Sequence, residues 1–176
     1  MTPARRSLPT RVTYLDMKAP PPGPLAPPPP PPGAHVVHRP RPSPESYLEL
    51  YDAVGAAYTW TARKLMPRAE LAALLSHPAV EVHVLEAGGE TAGYAELDAR
   101  VPGEVELAYF GLLPAFHGRG LGRYLLTWAI RHAWRELKPR RLWVHTCDLD
   151  APAALKLYLS TGFNKYLEQE EEVELA

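Results

Sequence analysis

The chain has little cysteine, no long apolar run and almost no net charge. Cys147 is the single cysteine, which excludes an internal disulfide and favours a reducing compartment. No apolar stretch approaches the roughly eighteen residues of a membrane span. The basic N-terminus, residues 2–6, lacks the apolar core of a secretory signal. We therefore expect a cytoplasmic protein with no membrane contact.

Two common nucleotide motifs are also missing. The triphosphate loop requires Gly-Lys-Ser or Gly-Lys-Thr, and neither tripeptide occurs in the chain. The dinucleotide fingerprint requires another glycine arrangement, with an acidic residue about twenty positions later. A net charge of −1 gives no general attraction for nucleic acid, and the charges of the basic stretch 123–141 alternate with apolar residues. We expect no nucleic-acid partner.

The spacing of the histidines and of the cysteine does not indicate a metal site or a reactive thiol. His132 and His145 stand singly on a predicted helix and a predicted strand, without a cysteine or carboxylate at metal-ligand spacing. Cys147 follows a strand and has no identifiable base partner. The sequence therefore predicts no metal site and no cysteine nucleophile.

A glycine-rich turn at 110–124 is the most informative stretch of the chain. An alternating apolar run leads into it, and a helical pattern leads out of it. Gly118, Gly120 and Gly122 are interleaved with Arg119 and followed by Arg123. Glycines between a strand and a helix let several backbone N–H groups converge, and the helix N-terminus adds its unpaired donors. The turn therefore predicts binding of a phosphate-bearing cofactor.

This turn resembles the acyl-CoA-binding motif of the GNAT superfamily of N-acetyltransferases, which reads Gln/Arg-x-x-Gly-x-Gly/Ala. Here the motif is His117-Gly118-Arg119-Gly120-Leu121-Gly122, with histidine at the first position. The resemblance implies acetyl-CoA, or another acyl-CoA, as co-substrate, with backbone amides holding the pyrophosphate. The cofactor-binding residues that it implies are Phe110, Leu112, His117, Gly118, Arg119, Gly120, Leu121, Gly122 and Arg123.

A second motif supports the same family about forty residues downstream. The run from Leu157 to Phe163 matches the family's Leu-Tyr-x-x-x-Gly-Phe. Ala151 stands where the family often has an asparagine that contacts the pantetheine arm. The match is clear from Glu104 to Phe163, and the first hundred residues agree only in the order of their elements.

The element order predicts an α/β GNAT fold, with a mixed, largely antiparallel sheet flanked by helices. Tight turns join three strands into an antiparallel meander, and a helical crossover then leads to a parallel strand. The predicted strands are 34–41, 80–86, 91–100, 104–112, 141–146 and 163–173. The first predicted helix begins at Pro44, with Ser43 as its N-cap. The other predicted helices cover 67–75, 118–137 and 153–160.

The sequence predicts two regions: an N-terminal extension, 1–33, and a GNAT domain, 34–176. Residues 1–10 are expected to be disordered, and 11–17 have the alternation of a short strand. That segment is either a flexible tail or a strand docked on the domain or on a partner subunit. Residues 19–33 are a proline-rich linker, with a ligand for a proline-recognition module as the alternative. A homodimer is expected from the habit of the family alone.

Acetyl transfer to an amine requires a neutral amine, a donor for the oxyanion and a proton for the leaving thiolate. The resemblance places Tyr158 at the family's general acid; the alternative is a packing tyrosine. Glu106 is the candidate base, acting through water, and Glu96 is the reserve. Strict alternation would put Glu106 on one strand face with Phe110, unless a bulge near 110–112 changes the parity.

We therefore expect an N-acetyltransferase that moves an acetyl or short acyl group from acyl-CoA to a small-molecule or peptide amine. The transfer would be a direct attack in a ternary complex. The alternative is a non-catalytic acyl-CoA-binding or interaction module on the same scaffold. Tyr51, Tyr58 and Trp60 either wall the acceptor pocket or pack in the core.

Overall fold

The computed structural model describes residues 6–176, and its centre is a seven-stranded sheet. The strands in chain order are Ser7–Met17 (β1), Ala34–His38 (β2), Val80–Ala87 (β3), Glu90–Asp98 (β4), Glu104–Leu112 (β5), Arg141–Cys147 (β6) and Asn164–Glu174 (β7). Their order across the sheet is β2-β3-β4-β5-β6-β1-β7. All neighbouring strands are antiparallel except β5 and β6. The predicted mixed, mainly antiparallel sheet is confirmed.

Five α-helices flank this sheet within residues 6–176. They are Pro44–Gly55 (α1), Ala62–Leu65 (α2), Arg68–Ser76 (α3), Leu121–His132 (α4) and Ala153–Ser160 (α5). Helix α1 begins as predicted, since the Ser43 hydroxyl accepts a hydrogen bond from the Ser46 N–H. None of the helices in the described part of the chain is long and apolar enough to cross a membrane.

Helix α4 begins three residues later than the sequence predicted. Gly120 has left-handed backbone angles and is the N-cap, so the first glycines form a turn instead of helix. At the other end, Ala133–Leu137 continues the helix as a π-helical turn. The crossover through α4 makes β6 parallel to β5, as expected for a strand–helix–strand unit.

The sheet buries apolar side chains on both of its faces. Helices α4 and α5 cover one face. The core on this face includes Leu125, Leu126 and Ile130 of α4. Helices α1 and α3 cover the opposite face, where the core contains Tyr47, Tyr51, Leu71, Leu75 and Tyr94. The glycine turn and Tyr158 therefore belong to the first face, and the aromatic residues of α1 belong to the second.

The N-terminal strand is longer than predicted and lies inside the sheet. Strand β1 pairs with β6 on one side, through Val12 and Cys147, and with β7 on the other, through Thr13 and Glu168. Leu15 and Met17 are buried in the core. The flexible-tail and partner-docked alternatives are therefore wrong for residues 7–17. Residues 7–10, which the sequence predicted to be disordered, belong to β1 as well. Residues 1–5, on which the rest of that prediction falls, lie outside the described residues.

The proline-rich segment, 18–33, is a strap across the molecule. It connects β1, the sixth strand of the sheet, to β2, the first. Along the way the guanidinium groups of Arg131 and Arg135 donate to the backbone carbonyls of Ala26 and Leu25, at 3.0 and 3.4 Å. Leu25 packs against the core beside α4. The strap is thus held on the domain, while the division of the chain at residue 34 stays a prediction.

Candidate active site

Strands β5 and β6 pair only briefly and then separate. Their parallel register covers three positions, from Glu104 opposite Arg141 to Glu106 opposite Trp143. Beyond Glu106, the edge of β5 has no strand partner on that side among the described residues, and a cleft of about 720 Å³ opens between the two strands. Backbone groups of β5 therefore face a cavity instead of a neighbouring strand.

A β-bulge in β5 sets which side chains face this cleft. Tyr109 pairs with Glu96, but Leu107 already pairs with Leu97, so Ala108 is the extra residue. The bulge was expected near 110–112 and lies two residues earlier. Because of it, Phe110 pairs with Ala95 of the α4 core, whereas Glu106 stays on the opposite face with Tyr109. Glu106 and Phe110 therefore lie on opposite faces, because a bulge changes the parity and strict alternation does not hold.

The glycine turn lies at one mouth of the cleft. Gly118 and Gly120 have φ angles of +73° and +76°, which strongly favour glycine, although a Cβ atom at either position would meet no neighbour within 4 Å. Within residues 6–176, the six consecutive N–H groups from Gly118 to Arg123 have no hydrogen-bond acceptor. With the positive end of the α4 dipole behind them, these donors form an anion site.

Most of the side chains expected to bind the cofactor line the cleft. The lining includes Phe110, Leu112, His117, Gly118, Gly120, Gly122 and Arg123. Leu121 instead packs in the core at 3% exposure, so it can offer only its backbone N–H. The Arg119 guanidinium lies 5.2 Å from the centre of the Phe116 ring and is absent from the lining.

His117 and Arg123 have protein partners that fix the turn. Nε2 of His117 is 3.1 Å from the backbone carbonyl of Leu112, which ties the turn to the end of β5. Arg123 donates to the Ser160 hydroxyl at 3.0 Å and so links α4 to α5. In this arrangement His117 positions the turn through Nε2, and the backbone N–H groups remain the donors for an anion.

Tyr158 reaches the cleft from α5. Its side chain is buried at 5% exposure, and its ring lies 6.1 Å from the Phe110 ring and 5.9 Å from the Phe163 ring. Burial, with a smaller contribution from Asp150, raises the pKa of Tyr158 far above its ordinary value. No residue in 6–176 bonds to its hydroxyl. The phenol is therefore protonated at neutral pH and free to donate into the cleft.

Glu106 has the properties of a base but lies beside the cleft lining. Burial raises its pKa to about 7, and Asp98 adds to this effect while Arg63 opposes it. Oε1 of Glu106 is 3.7 Å from Nδ1 of His145. A carboxylate with a pKa near neutrality can accept a proton at physiological pH. Its neighbour on the same face, Tyr109, does line the cleft.

Glu96, the reserve base, is fully buried in an ion pair. Its two oxygens accept hydrogen bonds of 2.5 Å from the Tyr47 hydroxyl and from the Arg63 guanidinium. These contacts join β4 to α1 and α2. Glu96 is thus a structural anchor beneath the site, and Arg63, which the sequence did not single out, is its partner.

Asp150 is a second residue that sequence reasoning missed. One oxygen accepts from the Trp60 indole N–H at 3.1 Å, and the other accepts from the Thr146 hydroxyl at 2.7 Å and the Cys147 N–H at 3.1 Å. It lines the cleft one residue before Ala151. Because its position in a loop after β6 carries no periodic signal, only the fold reveals its role.

An aromatic cluster forms the other end of the cleft. The Tyr109 ring lies 5.0 Å from the rings of both Tyr51 and Trp60. Tyr58 completes the lining. Tyr51 is fully buried, so the two alternatives for these residues merge: the cluster is core packing that also walls the cleft.

The separated strands and the glycine turn at the start of the crossover helix thus form a cleft with an anion site in a mixed α/β fold. The family model "Acetyltransferase (GNAT) family" matches residues 47–163. The chain therefore belongs to the GNAT acetyltransferase family. The family resemblance inferred from the two sequence motifs is confirmed.

Individual relatives agree with this placement. A mycothiol acetyltransferase of Streptosporangium roseum is 39% identical over 82 residues, which are 47% of this chain and 23% of that protein. A GCN5-related N-acetyltransferase from Kribbella flavida superimposes with a TM-score of 0.63 at 20% identity, over 96% of this chain and 60% of that one. An aminoglycoside acetyltransferase from an uncultured soil metagenomic sample superimposes with a TM-score of 0.58 at 16% identity. The match covers 74% of this chain and 88% of that one.

The chain is shorter than several of these relatives. It spans 23% of the mycothiol acetyltransferase and 60% of the Kribbella protein. At 20% identity or less, the structural likeness supports the fold alone.

Proposed function

We propose that this protein transfers an acetyl or other short acyl group from acyl-CoA to an amine, by direct attack in a ternary complex. One observation carries the proposal: the N–H groups from Gly118 to Arg123 have no acceptor within residues 6–176, and four of these residues, Gly118, Gly120, Gly122 and Arg123, line the same cleft as Tyr158. Acyl-CoA supplies an activated thioester together with a pyrophosphate that suits these donors.

The residues of the cleft have distinct roles in this proposal. The N–H groups of the turn hold the pyrophosphate, and Arg123 adds positive charge beside it. Backbone N–H groups of β5 beyond Glu106, where pairing with β6 has ended, stabilise the negative charge that develops on the carbonyl oxygen. Tyr158 protonates the departing sulfur. Glu106 removes the amine proton through water.

The aromatic end of the cleft is the proposed acceptor site. Tyr51, Tyr58, Trp60 and Tyr109 offer ring faces, and the Asp150 carboxylate lies among them. Ring faces and a carboxylate attract a cationic amine before it loses its proton. The panel of acceptors should therefore contain aminoglycosides such as sisomicin, as well as polyamines, lysine and peptide N-termini.

Calorimetric titration of acetyl-CoA, followed by a thiol-release assay with this panel, tests the proposal. We expect micromolar binding and amine-dependent release of CoA. Binding without thiol release for any amine would instead support the non-catalytic acyl-CoA module. No binding by the folded protein would refute both functions. Sedimentation of the same sample tests the homodimer that family habit predicts.

A further inference from the structure

A cluster of two histidines and one glutamate lies on the α4 face of the sheet, outside the cleft. Nε2 of His83 and Nε2 of His132 are each 2.7 Å from the same oxygen, Oε2 of Glu81. The three potential ligand atoms all lie within 4.8 Å of one another. Sequence spacing had suggested that His132 is isolated and that no metal site exists; the fold brings it to two partners on β3.

The rings of the cluster are held in place by aromatic contacts. The Trp128 ring stacks on His132 with centroids 4.8 Å apart and an angle of 11°, and it also lies 4.8 Å from the His83 ring. The His38 ring, opposite His83 in the β2–β3 register, is 4.8 Å from it on another side. Rings that are packed in this way lose little freedom when they bind a ligand.

We infer that Glu81, His83 and His132 form a binding site for a divalent transition-metal ion of the zinc type. Two imidazole nitrogens and one carboxylate oxygen are a common zinc donor set, with a fourth position left for water. Glu81 and His132 keep 19% and 15% of their side-chain surface exposed, so water can reach that position.

Zinc binding requires the three ligand atoms to change their separations. Tetrahedral zinc with bonds of about 2.0–2.1 Å holds its ligand atoms roughly 3.3 Å apart. Each Nε2 therefore has to withdraw from Oε2 of Glu81 by about 0.6 Å. The three ligand atoms, which now lie within 4.8 Å of one another, must reach this common spacing by side-chain rotation. The metal ion replaces the two hydrogen-bonding protons that now lie between these atoms.

The free ring nitrogen of His83 also suits metal binding. Nδ1 of His83 is buried and has no hydrogen-bond partner within residues 6–176, so moving the ring proton from Nε2 to Nδ1 breaks no hydrogen bond there.

The site would connect β3 to the C-terminal end of α4. Its three residues are absent from the lining of the cleft, so the ion stabilises the scaffold and takes no part in the transfer. This inference is independent of the proposed acetyltransferase activity.

The test uses tag-free protein that has been dialysed against a chelator. Calorimetric titration with zinc chloride, and elemental analysis after gel filtration, should find about one zinc ion per chain with micromolar or tighter affinity. His132→Gln should weaken binding at least about tenfold, while the glutamine amide can still donate to Glu81. The matched control is His35→Gln, an exposed histidine on β2, which should bind zinc like the wild type.

Two further readouts make the result decisive. Cobalt(II) should give the intense visible absorption of tetrahedral coordination in the wild type and lose it in His132→Gln. Thermal midpoints of the metal-free variants show whether each one is folded. The inference is overturned if wild type and His132→Gln take up zinc equally, or if His35→Gln loses binding to the same extent. In those cases the cluster is a hydrogen-bonded tie between β3 and α4.

Discussion

At its N-terminal end, helix α4 leaves the N–H groups of 118–123 without an acceptor in the described chain, whereas contacts within the protein hold its C-terminal end. There His132 donates to Glu81, and the N–H of Lys138 closes the π-helical turn by bonding to the carbonyl of Ala133. Both ends of any helix carry backbone groups that need partners. The N-terminal donors are therefore available to a ligand of the cleft.

The largest expected effect is on acetyl-CoA binding, from a substitution in the glycine turn at the N-terminal end of α4. We expect Gly120→Glu to weaken acetyl-CoA binding by more than about a hundredfold, because a carboxylate beside the turn repels phosphate and a side chain strains a φ of +76°. Gly89→Glu is the matched control, since Gly89 has a φ of +80° in a hairpin and also has open space around it. Equal affinities of the two variants by calorimetry would place the cofactor elsewhere.

The next effect separates chemistry from binding in the same cleft. Tyr158→Phe keeps the ring that packs on Phe110 and Phe163 but removes the proton donor, so kcat should fall by about a hundredfold. The dissociation constant of acetyl-CoA should stay within about threefold, because the turn is untouched. Tyr166→Phe, an exposed tyrosine on β7, serves as the control. An unchanged kcat would reduce Tyr158 to a packing residue.

The third prediction concerns Glu106, the candidate base, and the pH dependence of the activity. The pKa of Glu106 is raised to about 7, so activity should rise with pH and level off above that value as the carboxylate forms. We expect Glu106→Gln to lower the activity at pH 8 by about tenfold and to remove the rise in activity near pH 7. Glu104→Gln on the same strand should keep the wild-type profile. A Glu106→Gln profile that retains the inflection would assign it to another group.

The smallest effect concerns the C-terminal end of α4 in metal-free protein. Glu81→Gln should lower the unfolding free energy at pH 7 by about 1–2 kcal/mol, because two charge-assisted hydrogen bonds become neutral. The folded pKa of Glu81 lies below its ordinary value, so its stabilisation is present above pH 4.5 and is lost as the pH falls. In denaturant titrations, the difference in unfolding free energy between the variant and the wild type should therefore become smaller toward pH 3. Glu90→Gln, on an exposed hairpin, is the control.

Two carboxylates on one sheet face show why the site was only partly predictable. Glu96 and Glu106 both occur in alternating strand patterns, and nothing in those patterns distinguishes them. Arg63 and Tyr47 engage Glu96, while Glu106 has no such partner at that distance and keeps a raised pKa. Arg63 lies 33 residues from Glu96 along the chain, so its contact depends on how α2 packs. The distinction between anchor and candidate base thus required the tertiary structure.

By itself, the sequence determined the order of most elements, the N-cap of α1 at Ser43, the family and the glycine turn. These features depend on local properties: side-chain periodicity, capping and the freedom of glycine at positive φ. Only the tertiary structure decided the position of β1 between β6 and β7, the bulge at Ala108 and the meeting of His132 with Glu81, 51 residues away. Such contacts arise from the packing of distant segments, and residue order alone does not encode them in any local pattern.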